Sequence, residues 1–303
     1  MTDSSILTSP LAPSASDFIR GGLYALYFAT LLVVVPFQGL WGNTTLLWSV
    51  SGVALILVLL TCIVQQTREL TAVLLVLLVW QSVTAINQKY LPATVQGLTP
   101  QNVSDFSSSS RLVILLVAIL FLPLVTTLLV CLFPTETRTR FCAFLRVGSW
   151  SNGIRWPLPW WGVAPMPLWV FVVIALPFAF GSFLPMIDWQ KTAMRWQEAS
   201  WAVVLMIPLL ALINAIVEEL IFRVGLISLF SKRLSPEAAT IPAAVTFGFV
   251  HYDGGFPSGL TGALLLSVGG FYLGYFLLIQ KGLSAVILWH FLMDLVVFSS
   301  VFK

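Results

Sequence analysis

Nine stretches of the chain, each about as long as a membrane-spanning helix, carry very few charged side chains. A span needs about 20 mostly apolar residues to cross the hydrocarbon core. The 303 residues are 58% hydrophobic and only 9% charged, with a mean hydropathy of +0.96, whereas soluble domains are about a quarter charged. The pattern predicts an all-α fold, a polytopic membrane helix bundle of eight or nine transmembrane helices. The predicted spans are 22–41, 45–64, 70–87, 112–133, 167–186, 200–229, 239–256, 259–279 and 282–302.

Two of these spans are irregular. The stretch 70–87 is interrupted by Gln81, and for this reason the number of helices is eight or nine. The stretch 200–229 is too long for one straight span, so we expect it to tilt, to break, or to run out along the interface.

Composition divides the chain into three parts. Residues 1–20 are polar and rich in Ser and Pro, which predicts a disordered cytoplasmic tail. Residues 21–199 form an N-terminal transmembrane region, and 200–303 form a helix core that holds most of the intramembrane ionisable residues. Within the first region, 134–166 combines four arginines with W-P-L-P-W-W-G. Arginine suits anionic headgroups and tryptophan the interface, so this segment is expected at the membrane surface, as an ordinary loop with Trp anchors or as a substrate-guiding element.

The distribution of basic residues predicts the orientation. With nine spans and the N-terminus inside, ten of the 15 Lys and Arg residues fall on the cytoplasmic side. Cytoplasmic loops of membrane proteins carry an excess of these residues. We therefore expect the N-terminus inside and the C-terminus outside. A net charge of +3 is too small to indicate a nucleic-acid partner.

Both histidines of the chain lie inside apolar stretches. His251 stands in F-G-F-V-H-Y and His290 in V-I-L-W-H-F-L-M-D, while a third stretch carries Glu218, Glu219 and Arg223 in I-V-E-E-L-I-F-R. Ionisable groups in hydrocarbon are costly and usually face a bundle interior or a water-filled cavity. Histidine and carboxylate side chains that lie close together can form a hydrolytic site or a metal site.

The acidic pair has two interpretations. On a helix, Glu219 and Arg223 are four residues apart, share a face and can form an ion pair. Glu218 lies about 100° away around the helix and can face another target, such as a water molecule. The alternative is a structural salt bridge near a helix end.

The histidines also have a spacing of four with a neighbour. Phe247 can pack beside His251, and Gly248 between them allows another helix to approach closely. Asp294 shares a helix face with His290, and an aspartate can fix the imidazole tautomer. The alternative for His251 is a position among the lipid headgroups. The alternative for His290 and Asp294 is a structural polar contact between helices.

Other chemistries have less support. The chain contains no H-E-x-x-H, G-x-S-x-G or Walker A sequence. A transporter with a proton relay would need ionisable residues spaced along a path through the membrane. Here they are concentrated in one short zone, which favours a reaction site.

The ordered motifs E-E-x-x-x-R, F-x-x-x-H and H-x-x-x-D within about residues 200–300 resemble the CPBP (CAAX protease and bacteriocin-processing, Abi) family of intramembrane endopeptidases, which includes the type II CAAX prenyl endopeptidases. The resemblance implies that 200–303 is a CPBP-like catalytic core. Its substrate would be a membrane-embedded or lipidated protein or peptide. The resemblance also implies an integral protein of the inner (plasma) membrane of a bacterium, in contact with the lipid bilayer. The alternative is a non-catalytic scaffold or immunity protein of the same family.

The resemblance assigns a role to each motif residue. Glu218 would activate the attacking water, and His251 and His290 would position that water or hold a metal. The supporting residues of the site would be Glu219, Arg223 and Phe247. We expect Glu218, His251 and His290 to converge in one cavity within the membrane, all three near the cytoplasmic ends of their helices.

Asp294 departs from the prenyl proteases, which usually have Asn at this position to help hold an oxyanion. An ionised Asp would repel an oxyanion, so we predict that Asp294 acts through His290. The cofactor stays open between a divalent metal such as zinc and none. His251, His290 and a carboxylate would provide the three ligands of a catalytic zinc site, and the same residues could serve glutamate-dependent hydrolysis without a metal.

Overall fold

The computed structural model describes residues 126–127, 129–131, 133–155, 164–199, 201–232, 234–252 and 259–301. Its helices are α1 (Thr135–Phe144), α2 (Leu168–Phe183), α3 (Trp189–Glu198), α4 (Trp201–Glu218), α5 (Leu226–Phe230), α6 (Pro236–Val250), α7 (Gly259–Gln280) and α8 (Ser284–Val301). A 3₁₀ turn, Leu184–Met186, follows α2, and a π-helical segment, Glu219–Gly225, joins α4 to α5. Two short strands, β1 (Gly153–Ile154) and β2 (Met166–Pro167), pair antiparallel.

The described part of the chain is mostly helical, as predicted. The helices Val204–Phe230 and Gly259–Gln280 are long and apolar enough to cross a membrane, and Ser284–Ser300 is a shorter apolar helix. The tail 1–20 and the predicted spans 22–41, 45–64 and 70–87 lie outside the described residues, as does most of 112–133. The total of eight or nine helices therefore stays a prediction.

The predicted span 200–229 is not broken and contains a π-helical segment. The chain runs without interruption through α4, the π segment and α5. All seven residues of Glu219–Gly225 are buried. π-turns are rare and frequently occur at functional sites. A π-turn has more residues per turn than an α-turn, so neighbouring side chains are separated by a smaller angle and turn toward the same side.

Helices α6 and α7 pack closely because small residues line their contact. A Cβ added to Gly248 of α6 would lie 2.1 Å from both the Ala263 carbonyl oxygen and the Ser267 Oγ of α7. On α7, a Cβ at Gly270 would lie 3.1 Å from the Phe247 ring. Small residues let backbones approach where no hydrophobic force joins two helices in lipid. The predicted close approach at Gly248 is confirmed.

The segment Phe133–Arg155, which we call the end cap, closes one end of this bundle. Arg140 Nη1 donates to the Ser231 carbonyl at 2.6 Å, just after α5. The Ser149 amide donates to the Gln280 carbonyl at 2.8 Å, at the turn between α7 and α8. The same segment thus binds two connections, which places both at the same end of the bundle.

The end cap is more structured than the loop expected for 134–166. It contains α1 and β1, and β2 begins at the last residue of the predicted segment. Trp150, the tryptophan of the end cap, is half-buried and donates from Nε1 to Ser284 Oγ at 2.9 Å. This tryptophan therefore serves a contact within the protein. The tryptophans of W-P-L-P-W-W-G lie outside the described residues.

Helix α3 occupies the connection between the predicted spans 167–186 and 200–229. Asp188 caps its N-terminus by accepting a hydrogen bond from the Lys191 amide at 3.1 Å. An Asp at this position satisfies a backbone donor that the helix itself leaves unpaired. Trp189 and Met194 are exposed along this helix.

Candidate active site

The three motifs meet at one point of the structure. Glu218 ends α4, His251 follows the last residue of α6, and His290 lies within α8. His251 Nε2 lies 3.4 Å from Glu218 Oε1, and His290 Nε2 lies 3.4 Å from Glu218 Oε2. The predicted convergence of these three side chains is observed, with one imidazole on each oxygen of the carboxylate.

The orientation of the His251 ring is set by its own helix. Its Nδ1 lies 2.7 Å from the Phe247 carbonyl oxygen. A carbonyl oxygen only accepts hydrogen bonds, so Nδ1 carries the proton and donates. In the neutral ring, Nε2 then holds a lone pair and faces Glu218.

His290 Nδ1 is held by Glu219, and the role of Asp294 through His290 stays a prediction. Nδ1 of His290 lies 2.5 Å from Glu219 Oε1. The nearest recorded approach of Asp294 is 3.6 Å, from Oδ1 to the other ring nitrogen, Nε2. Glu219, in the π segment, thus lies closer to the His290 ring than Asp294 of α8 does.

Glu219 also forms the predicted ion pair with Arg223. Arg223 Nη1 lies 3.3 Å from Glu219 Oε1, and both side chains are fully buried. Nη1 is nevertheless a buried atom without a directed hydrogen bond among the described residues. Part of the compensation for the guanidinium charge comes from Phe247, whose ring centroid lies 3.8 Å from Arg223 Cζ. A cation over an aromatic face is attracted by the ring quadrupole.

Phe247 packs beside the His251 imidazole, as its spacing predicts. Its ring centroid lies 4.5 Å from that of His251 and 5.9 Å from that of His290. The same ring therefore contacts both imidazoles and the Arg223 guanidinium, and it excludes solvent from that side of the ion pair.

Asn214 completes the site, and sequence reasoning missed it. Its Nδ2 donates to Glu218 Oε1 at 3.1 Å and to Asp294 Oδ2 at 3.0 Å. A signal was present, because Asn214 stands four residues before Glu218 in an otherwise apolar stretch and therefore shares its helix face.

The depth of the site differs from the prediction. Under the predicted topology, the connection 231–235 is cytoplasmic, and α6 starts there. His251 follows all 15 residues of α6, about 22 Å from its start at 1.5 Å per residue. His290 is six residues into α8, about 9 Å from the capped end. The expectation that all three residues lie at cytoplasmic ends is wrong for His251, and the site lies near the middle of the bundle.

The Glu218 carboxylate combines burial with an unused acceptor. The Glu218 residue is only 3% exposed, and Oε2 has no hydrogen-bond partner among the described residues. Buried polar atoms are nearly always hydrogen-bonded, and exceptions need an explanation such as a catalytic role. This oxygen faces the Nε2 atom of His290 and can accept a proton.

The metal-site interpretation of His251 and His290 has no support in the described residues. Among them, no group of three His, Cys, Asp or Glu side chains could hold a metal ion. Both Nε2 atoms are instead directed at the two oxygens of the same carboxylate.

The helices and the site define a class, a helical membrane protein with a buried carboxylate held between two imidazoles. Residues 199–296 match the family model described as type II CAAX prenyl endopeptidase Rce1-like. The matched segment contains every site residue named above, and the match confirms the resemblance to CPBP proteins.

Two further comparisons gave no relative. No curated protein and no solved structure matches the chain.

Proposed function

We propose that this protein is an intramembrane endopeptidase that hydrolyses a peptide bond of a membrane-associated protein or peptide, with Glu218 as the general base. The observation that carries the proposal is the convergence of both imidazoles on the buried Glu218 carboxylate, within the segment that matches the CAAX protease family. We place the protein in the inner membrane of a bacterium, with a substrate that reaches the site from the bilayer or its surface.

The proton arrangement of the site suits a bound water. With Nδ1 of both rings engaged as donors, neutral imidazoles present Nε2 only as acceptors. Glu218 Oε2 is likewise an acceptor. A water that donates one proton to Oε2 and the other to Nε2 of His290 keeps its oxygen lone pairs free for attack. Asn214 meanwhile donates a hydrogen bond to the other carboxylate oxygen, Oε1.

The reaction then follows ordinary general-base hydrolysis. Glu218 takes a proton from the water as its oxygen bonds to the peptide carbonyl carbon, and general bases contribute about 10²–10⁴-fold to such steps. The C–N bond breaks, and the leaving nitrogen receives the proton from Glu218. The products are a carboxylic acid and an amine, and the carboxylate is restored.

Asp294 and Glu219 act on this chemistry through other groups. Asp294 accepts from Asn214 and lies 3.6 Å from His290 Nε2, which favours the imidazolium whenever that ring takes up a proton. Glu219 holds His290 by Nδ1 and is itself balanced by Arg223.

The test is a proteome-wide comparison of cleaved protein termini in cells that carry the wild type, Glu218→Gln or Glu237→Gln. Glu237 is exposed in the first turn of α6, so the matched control makes the same chemical change outside the site. Termini of membrane-associated proteins should disappear in Glu218→Gln cells and persist in the control. Identical termini in all three strains would contradict the proposal and favour a scaffold.

A further inference from the structure

Asn214 contacts two carboxylates with one nitrogen atom. Nδ2 lies 3.1 Å from Glu218 Oε1 and 3.0 Å from Asp294 Oδ2. Ionised carboxylates only accept hydrogen bonds, and the amide nitrogen has two N–H groups. One N–H can therefore serve each carboxylate, which joins α4 to α8 across 80 positions of sequence.

The contact solves an electrostatic problem of the site. Two carboxylates in one poorly solvated site repel, and without a partner one of them takes up a proton. Arg223 is paired with Glu219, so its charge is already shared. Asn214 is the only amide, hydroxyl or charged side chain between Trp201 and Val217, and it stands on the face where both carboxylates meet.

We propose that Asn214 is a positioning residue that bridges Glu218 and Asp294 and keeps Glu218 in its reactive orientation. By holding Oε1, the amide leaves Oε2, the acceptor without a partner, directed at the water and His290. The bridge sets the rate of the hydrolysis, so this inference rests on the proposed function.

The experiment uses the purified full-length protein and four variants: Asn214→Leu, Asp294→Asn, the double variant, and Asn152→Leu as a matched control. Asn152 lies in the end cap, away from the site, and donates to the Ile279 carbonyl near the end of α7. Two quantities are measured, the thermal unfolding midpoint in detergent, and kcat and KM on an internally quenched, farnesylated C-a-a-X peptide.

Asn214→Leu should lower kcat by roughly 10- to 100-fold with KM unchanged, an effect as large as the loss of a side chain that orients a metal ligand. Asn152→Leu should lower the unfolding midpoint and leave kcat unchanged. The effect of Asn214→Leu should shrink severalfold in the Asp294→Asn background, because one of the two charges is then absent. If Asn214→Leu does not fold, Asn214→Ser, which keeps one donor, should give an intermediate kcat.

The inference is overturned if Asn214→Leu or Asn214→Ser keeps the wild-type kcat, or if the loss is the same in both backgrounds. If the wild type does not cleave the peptide, the unfolding midpoints of the variants test whether Asn214 bridges the two carboxylates. A smaller shift from Asn214→Leu in the Asp294→Asn background supports the bridge, and equal shifts contradict it. Failure of the proposed function is read separately, from the comparison of cleaved termini in cells.

Discussion

Glu219 contacts charged or ionisable side chains from two of the three motifs. One of its oxygens faces both Arg223 Nη1 and His290 Nδ1. The residue therefore balances a buried cation and holds an imidazole in one tautomer. Its neighbour Glu218 keeps one oxygen without a hydrogen bond among the described residues. Adjacent carboxylates in different surroundings take different roles.

We predict that Glu219→Gln lowers stability much more than Glu218→Gln. Removing one partner of a buried ion pair costs roughly 3–5 kcal/mol, because the other charge is left uncompensated. Thermal unfolding midpoints in detergent and the yield of monodisperse protein measure this difference. Glu218→Gln is the matched control at the adjacent position, and equal midpoints for the two variants would contradict the division of roles.

A second prediction concerns the face of Phe247. Phe247→Leu keeps an apolar side chain but removes the ring over which Arg223 lies at 3.8 Å, which should cost about 2 kcal/mol for a desolvated pair. Phe276→Leu is the control, since Phe276 is buried against the Phe171 ring. Both variants lose the contacts of one aromatic ring, and Phe247→Leu also loses the contact with the Arg223 cation. Phe247→Leu should therefore have a lower unfolding midpoint than Phe276→Leu. Equal shifts would mean that the cation contributes little.

The motifs predicted which side chains converge in the site. They did not predict which of their atoms form hydrogen bonds with each other. The spacing of four placed Asp294 beside His290, but spacing describes one helix at a time. Glu219, the partner of His290 Nδ1, lies on another helix, in a π-turn that no sequence pattern predicts. Asn214 was missed because a single amide in an apolar stretch belongs to no recognised motif.

At the scale of elements, close backbone contacts bring the site helices together. His251 and Phe247 belong to the end of α6, and their distance from Glu218 depends on how closely α6 packs on its neighbours. Gly248 lies between them and contacts Ala263 and Ser267 of α7. A side chain at this position must push the two helices apart and would carry His251 with it.

Gly248→Ala should therefore destabilise the protein by about 1–3 kcal/mol, the usual cost of overpacking, and should also lower activity. Gly269→Ala provides the control on α7, where an added Cβ meets nothing within 4 Å, and Ala is intrinsically better than Gly in a helix. Thermal unfolding should show a lower midpoint for Gly248→Ala alone. An unchanged midpoint would show that α6 and α7 can separate at little cost.

Apolar length predicted the positions of the long helices and said little about the connections. The stretches 259–279 and 282–302 correspond closely to α7 and α8. Helices α1 and α3 were not predicted, since neither is apolar enough to span a membrane. Asp188, a good N-cap residue before a run of helix formers, was a local signal for α3.

At the scale of the whole molecule, the end cap defines one side of the described bundle. It binds the residue after α5 and the turn between α7 and α8. The arginines of this segment were counted as cytoplasmic in the predicted orientation. Arg223, also counted there, is fully buried and paired with Glu219, so it contributes nothing to surface charge. The remaining basic residues still favour the same side.

The orientation can be tested by cysteine labelling in a variant without its native cysteines. Leu234→Cys, in the exposed connection before α6, should react with a membrane-impermeant maleimide in inverted vesicles and not in intact spheroplasts. Lys191→Cys, exposed on α3, should show the opposite pattern because it lies on the predicted outer side. The reverse pattern at both positions would invert the topology.

The central claim is that Glu218, His251 and His290 act as one hydrolytic unit. The most direct measurement is kcat/KM for Glu218→Gln, His290→Ala and the double variant, on a peptide whose cleavage is lost in Glu218→Gln cells. Residues that act as a unit are strongly non-additive. We predict that each single substitution lowers kcat/KM by at least about 100-fold. The double variant should have the same kcat/KM as the less active of the two single variants. Multiplicative losses, or a Glu218→Gln variant that keeps wild-type activity, would contradict the account.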